Sequence, residues 1–452
     1  MTETKKTLYF IGIAVALALI AFWVTPQRIT PSAFLDQGES FYPDFTDPNA
    51  ATTLEIISFN EDIGEAHPFK VTFKNGRWTL PSHHDYPADA KDRLAKTAAG
   101  IIELRKDDFR SDNIADQAIC GVVDPLDETY DGLTGRGQRV TLKDKNDNVL
   151  SDLIFGKPVE ENPGYRFVRI PDSKRIYAAK TQLVLTDNFS DWINTDLLEV
   201  NKGDIDRLTI LDYSIDERTR RLNQRDEVRL QREGASWKAR KMSAGQTVDS
   251  MKIGDMLTTL DNLKIVGVRP KPAGVSASLK QSGDNSQLNR SDLVSLQSKG
   301  FFFTSDGDLK SNEGELLVET SDGILYTLRF GEIFYGSGLE VSAGAEGDGK
   351  NAEGAAENRY LFLTTEFNSG RFPEPPKPKN LDFENKPDSL LTDADKEQRR
   401  IQREHERWER KIEMGKTKST ELNNRFADWY FVIPADSFDK LRLDRSDILI
   451  KK

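Results

Sequence analysis

Cysteine is almost missing from this chain: Cys120 is the only one in 452 residues, beside four histidines. A single cysteine cannot close an intramolecular disulfide, and no Cys-x-x-Cys or Cys/His cluster offers zinc a ligand set. The fold must therefore rest on its core. No His-Glu-x-x-His helix, Gly-x-Ser-x-Gly elbow or Walker-type loop occurs, so the usual signatures of metalloproteases, serine hydrolases and P-loop enzymes are absent. Excess basic charge is absent too. The net charge is −11, which argues against nucleic acid, because phosphate binding needs a basic face. The chain reads as a non-enzyme with no cofactor and no metal site.

One apolar run interrupts this polar composition. Leu8 to Val24 reads LYFIGIAVALALIAFWV without a charge. With Thr7 and Thr25 it makes a helix of roughly 28 Å at ~1.5 Å per residue, enough for a bilayer core. Phe22 and Trp23 stand at its outer end, where aromatic rings favour the interface. Lys5 and Lys6 precede it, and after Arg28 no Lys or Arg appears until Lys70. That asymmetry places residues 1–6 in the cytoplasm, 7–25 in the membrane and the rest outside. A cleaved signal peptide would need small residues after the run; Phe22-Trp23-Val24-Thr25-Pro26 is bulky and then proline. Residues 26–53, with Pro26, Pro31, Pro43 and Pro48, read as a stalk.

From Leu54 the pattern occurs twice. Leu54–Phe59 is a strand; Phe69–Phe73 and Arg77–Leu80 form a hairpin about Asn75-Gly76; Leu94, Ala98, Ile101 and Ile102 mark a helix. Ile205–Ile210, Val228–Arg232, Trp237 and the helix of Ile253, Met256, Leu257 and Leu260 repeat that order. Trp78 and Trp237 take the same place and are expected to be buried at a strand–helix contact. Val140–Lys143 returning to Phe155-Gly156 matches Leu316–Glu319 returning to Phe330-Gly331. Tyr165–Arg169 matches Arg359–Leu363, and Arg175–Ala179 matches Trp429–Ile433. The sequence thus predicts α+β architecture: two tandem repeats of antiparallel sheet with a packed helix, 54–200 and 204–450. Two insertions interrupt the second repeat: a Gly/Ala/Glu-rich loop at 336–357, and 371–423 with a Pro-rich entry and a charged helix.

These residues resemble the bacterial domain of unknown function 4340 family over roughly 54–450. The marks are Gly76-Arg77-Trp78, Gly121-Val-Val-Asp-Pro125, Phe155-Gly156 and Tyr165–Arg169. In the second repeat they are Gly234–Trp237, Gly300–Phe303, Asn312-Glu-Gly314 and Phe330-Gly331. The resemblance implies an N-terminal anchor in the bacterial inner membrane and a role beside an ABC transporter of the gliding type. It supplies no activity and no site residues.

Few residues invite a site. His83-His84-Asp85 reads as a surface loop, because neighbours on a strand face opposite ways and chelate poorly. Cys120 reads as a small buried hydrophobe, and Gly132–Gly137 as a turn. The charged helix, Asp393 to Gly415, is the least bland feature. Ile401, His405, Trp408 and Ile412 form a thin stripe along it. Asp395/Arg399 and Glu406/Arg410 are expected ion pairs, and Gly415 suits its end. Nine Lys/Arg against five Glu between Lys396 and Lys418 make it locally basic. The stripe either rests on its own domain or docks on a protein partner in the envelope or an anionic membrane surface. The expected function is a non-enzymatic extracytoplasmic accessory or scaffold protein of an envelope assembly. The alternative is a module binding a glycan, peptide or lipid in the cleft between repeats.

Overall fold

The computed structural model describes residues 11–18, 36–61, 64–216, 219, 221–280, 288–304, 306–336, 341–344 and 356–451. The run expected to be an anchor, Leu8 to Val24, lies outside these residues apart from 11–18, which are helical. The tail 1–6 and most of the loop 336–357 lie outside them as well. Among the described residues no helix is long and apolar enough to cross a membrane. Contacts divide the chain into two compact units. One comprises the chain up to His67 with Leu94–Leu185; the other comprises Pro68–Arg93 with the chain from Thr186 onward.

The first half of the chain carries β1 (Thr53–Asn60), β2 (Glu65–Lys74), β3 (Arg77–Leu80), β4 (Tyr86–Pro87), α1 (Lys91–Glu103), β5 (Asp108–Ser111), α2 (Asp116–Cys120), β6 (Gln138–Lys143), β7 (Val149–Pro158), β8 (Tyr165–Arg169) and β9 (Ile176–Lys180). In the first unit the strands run β1-β6-β7-β8-β9-β5, each pair antiparallel. Alternation does the work: Leu54 and Ile56 pair with Leu142 and Val140, and all four are fully buried. Each such side chain contributes about 1.5–3 kcal/mol by leaving water. The predicted stalk does not run free throughout. From Asp36 it packs on this unit, with Phe41 and Phe45 buried and the Tyr42 hydroxyl donating to the Asp152 carbonyl at 2.6 Å. Phe41 and Phe45, set among the prolines, gave that segment something to bury.

The second half carries β10 (Ile205–Asp216), β11 (Arg221–Glu233), β12 (Ser236–Ala239), β13 (Gln246–Val248), α3 (Ser250–Asp261), β14 (Gly267–Pro270), α4 (Ala273–Lys280), α5 (Arg290–Gln297), β15 (Phe301–Phe303), β16 (Leu309–Ser311), β17 (Glu315–Thr320), β18 (Ile324–Gly336), β19 (Ala356–Phe367), α6 (Asp393–Ala427), β20 (Trp429–Pro434), α7 (Ala435–Leu441), α8 (Arg445–Ile448) and β21 (Leu449–Lys451). Its main sheet runs β12-β11-β10-β17-β18-β19-β20-β14, again antiparallel at every pair. Phe301 stacks on Tyr430 at 5.9 Å and tilts against Phe362 at 5.3 Å, in a cluster with Val275 and Leu296.

The class is α+β with antiparallel sheets, as the alternation predicts. Helices are more numerous than the one expected for each predicted repeat. α4 and α5 are short and poor in apolar periodicity, and α5 starts on an Asn289/Asp292 capping box. The two tryptophans are half-buried rather than buried. Trp78 lies across from Phe73 with ring centroids 5.2 Å apart, and Trp237 lies under the Arg232 guanidinium. Both sit in register on a hairpin face, where a cross-strand neighbour covers one side of the ring.

Candidate functional site

Between β19 and β20 the chain leaves the sheet as a strap, Phe372 to Leu391, and returns as α6. The strap holds single 3-10 turns at Asp382–Asn385 and Asp388–Leu390. Thr392 starts the helix: its hydroxyl oxygen accepts from Asp395 N, and the Asp395 carboxylate accepts from Thr392 N at 3.0 Å. Lys386 closes on the same carboxylate at 2.8 Å and holds its pKa down to about 2. Arg399 pairs with Asp388 at 2.7 Å, so the expected Asp395/Arg399 pair gives way to two contacts with the strap. Glu406 and Arg410 do approach, at 4.0 Å.

The helix does not end at Gly415; it runs 35 residues to Ala427. From Gly415 on it belongs to the core. Ser419, Leu422, Phe426 and Ala427 are buried. Thr365 donates from Oγ1 to the Ser419 carbonyl at 2.9 Å, and its backbone exchanges two bonds with the Asn423 amide. Lys271 Nζ donates to the Phe426 carbonyl at 2.9 Å, and Ser276 Oγ to that of Ala427. Those bonds satisfy carbonyls that a helix end leaves open. Lys271 sits 3.8 Å from the Phe362 ring centroid, and burial pulls its pKa well below the usual lysine range.

Before Gly415, among the described residues, the helix finds its partners outside itself in the strap. Trp408 Nε1 donates to the Phe372 carbonyl at 2.8 Å, and His405 Nδ1 lies 3.3 Å from that of Pro375. Gln398 accepts from Lys379 N, and Gln402 donates to Glu384. His405 is buried; Ile401, Trp408 and Ile412 are half-buried. The four residues of the stripe thus share one helix, and its central pair is covered by the chain's own Pro-rich entry. Residues 393–414 form an arm roughly 33 Å long. Sequence reasoning noticed both parts but did not join them. The signal was their adjacency: prolines forbid a strand in the middle of a sheet, and an unpaired aromatic stripe follows. The opposite side of the arm is charged. Lys396, Arg399, Arg400, Arg403, Glu404 and Arg407 line a shallow depression of about 320 Å³.

His83 corrects the surface-loop reading. It is fully buried in a 3-10 turn, with Nδ1 2.9 Å from Ser82 Oγ and Nε2 3.0 Å from Ser342 Oγ. Its ring stacks on Phe189 at 4.8 Å. A serine–histidine pair serves acyl transfer when a carboxylate behind the ring stabilises the imidazolium. Here a hydroxyl stands behind it, and burial, with His84 and Arg269 nearby, lowers the pKa to about 4. The ring stays neutral and latches rather than exchanging protons. Cys120 is buried, as read, and burial pushes its thiol up. A larger groove, about 610 Å³, has an apolar floor of Ile210, Val228 and Leu449 under charged walls. The walls are already paired: Arg445 grips Asp226 at 2.7 and 2.8 Å, and Asp212 takes Arg225 and Arg442.

Residues 78–281 match the Domain of unknown function (DUF4340). The match supports the family over a span just short of half the chain. It opens at Trp78 and takes in Gly121–Pro125, Phe155-Gly156, Tyr165–Arg169 and Gly234–Trp237. The DUF4340 span ends after α4, so β17 to β20 and the arm lie outside it. No curated protein and no solved structure matches the chain.

Proposed function

We propose that this chain is a non-enzymatic accessory or scaffold protein of a bacterial envelope assembly, of the kind that stands beside an ABC transporter. Leu8 to Val24 anchors it in the inner membrane with its N-terminus in the cytoplasm, and its folded mass works outside. The observation that carries this reading is the arm. A helix has been built out by 22 residues, given its own strap, and fixed at its base by Lys271, Ser276 and Asn423. Insertions of this length are uncommon as passive loops.

The platform beneath the arm is an internal duplication. Register supports this. Phe155 pairs with Val168 and Phe330 with Leu361; Ile56 pairs with Val140 and Ile210 with Leu316; Phe109 pairs with Tyr177 and Val268 with Phe431. The order β1-β6-β7-β8-β9-β5 has its counterpart in β10-β17-β18-β19-β20-β14.

Photo-crosslinking in intact cells tests the reading. A crosslinker replacing Met414, which is 72% exposed, is expected to join the chain to an envelope membrane protein. A C-terminal fusion to a reporter active only outside the cytoplasm is expected to work. No adduct from any exposed arm position, or activity of a cytoplasm-only reporter, overturns the proposal.

A further inference from the structure

We infer that the outward face of the arm, centred on Arg403 and Arg407, docks an acidic helical segment of a protein partner. The inference rests on the scaffold reading and names its contact surface. The strap against His405 and Trp408 covers the centre of the apolar stripe. What remains outward is a row of cations. Most are already matched: Lys396 with Asp393 at 3.1 Å, Arg399 with Asp388 at 2.7 Å, Arg400 with Glu397 and Glu404 at 2.7 and 2.6 Å. Arg403 and Arg407 are exposed, one turn apart, and among the described residues neither has an ion pair. Like charges at that spacing destabilise a helix. Every other arginine of this helix has a carboxylate partner among the described residues: Arg399, Arg400, Arg410 and Arg425. The two guanidiniums that it leaves open border the depression described above.

The chemistry of the occupant follows from charge complementarity. Two arginines one turn apart, about 6 Å along the helix axis, match two carboxylates at the same spacing on a facing helix, and each guanidinium can hold a carboxylate by two parallel bonds. A membrane plane is a poorer match. Asp393, Glu397 and Glu404 interleave with the cations on this side, and the chain carries −11 overall, so a sheet of anionic headgroups meets mixed charge. A protein helix can place its carboxylates in register with Arg403 and Arg407 and avoid Glu404.

The test uses the full chain in detergent and a fluorescent alanine-based helical peptide with glutamates at i, i+4 and i+7. A peptide of the same composition with its glutamates spread around the helix is the comparison. The ordered peptide is expected to bind more tightly. R403E/R407E is expected to weaken it at least about tenfold, without moving the thermal midpoint, since both side chains are exposed. A lysine-for-glutamate peptide is expected to regain binding to R403E/R407E. Equal binding of both peptides, or indifference to the charge reversal, overturns the inference. So does loss of sedimentation with phosphatidylglycerol vesicles as the sole effect of the reversal, which assigns the face to lipid. In cells, an unchanged Met414 adduct in R403E/R407E overturns this face and leaves the scaffold reading standing. Absence of an adduct from every exposed arm position in the wild type overturns the scaffold reading itself.

Discussion

Arg166 reaches across from β8 to the carbonyl oxygen of Gly156, donating from Nε at 3.1 Å and from Nη2 at 2.9 Å. Arg359 does the same to Gly331 from Nη1 at 2.8 Å. Each glycine follows a phenylalanine at a break in ladder register, where its carbonyl needs a donor from outside the ladder. A Cβ on Gly156 would overlap the Cys120 carbonyl oxygen, and one on Gly331 that of Lys299. Gly156→Ala and Gly331→Ala are therefore expected to destabilise by about 1–3 kcal/mol each through overpacking against backbone. Arg166→Ala should cost about 1–3 kcal/mol by orphaning a buried acceptor. Urea denaturation measures all three. Midpoints equal to wild type would show that the clasps contribute nothing.

His83 makes stability depend on pH with a definite sign. Its folded pKa, about 4, lies below the unfolded value of 6.5. Between those values the unfolded chain binds more protons, so stability is fully present above about 6.5 and is lost as pH falls towards 4. The contribution is on the order of 3 kcal/mol for a shift of this size. His83→Gln keeps hydrogen-bonding atoms but does not titrate. The stability difference between wild type and His83→Gln should shrink across that window; a constant difference would remove His83 as the cause.

Lys271 carries the same sign at the alkaline end. Burial disfavours its charged form, so its folded pKa lies well below the usual 10.5. The unfolded chain then holds more protons in the interval, and stability rises as pH climbs towards 10.5. Relative to Lys271→Met, the wild type should gain stability between about pH 8 and about pH 10. Parallel curves in chemical denaturation would mean that the ammonium is not desolvated.

Local chemistry made much of this fold legible in the sequence. β8 coincides with the predicted Tyr165–Arg169, and the Asn75-Gly76 hairpin closes with Phe73 opposite Trp78. Period-two alternation and turn residues report on a few neighbours, and here the neighbours agree. What was not legible depends on distant partners. Phe372 and Trp408 are 36 positions apart, and nothing in either segment names the other. His83 looked like a loop residue because Ser342, its partner, is 259 positions away. The candidate stripe was legible as an amphipathic pattern, but not what covers it. Pattern alone does not distinguish a helix face that awaits a partner from one already closed by its own chain.

Gly415 is the sharpest case, because helix propensity and tertiary packing predict opposite signs. As a helix end in the left-handed region it would lose roughly 1 kcal/mol to alanine. As an exposed helix interior it would gain about 1 kcal/mol from alanine, the better helix former. In the structure it is buried in mid-helix, where α6 crosses β19, and a Cβ there would overlap the Phe367 ring. Phe367 cannot simply swing away, since it stacks on Phe372 at 6.0 Å, and Phe372 is tied to the arm through Trp408. Overpacking of this kind typically costs about 1–3 kcal/mol, which outweighs the propensity gain. Gly415→Ala is thus expected to lower the thermal midpoint, while alanine at exposed Lys416 leaves it within a degree or so. Hydrogen exchange should show the added opening at the crossing, residues 415–427, and in the strap near Phe372, with the sheet around Leu54 unaffected. A raised midpoint for Gly415→Ala would mean that the helix stands off the sheet there, and that the arm has no fixed base.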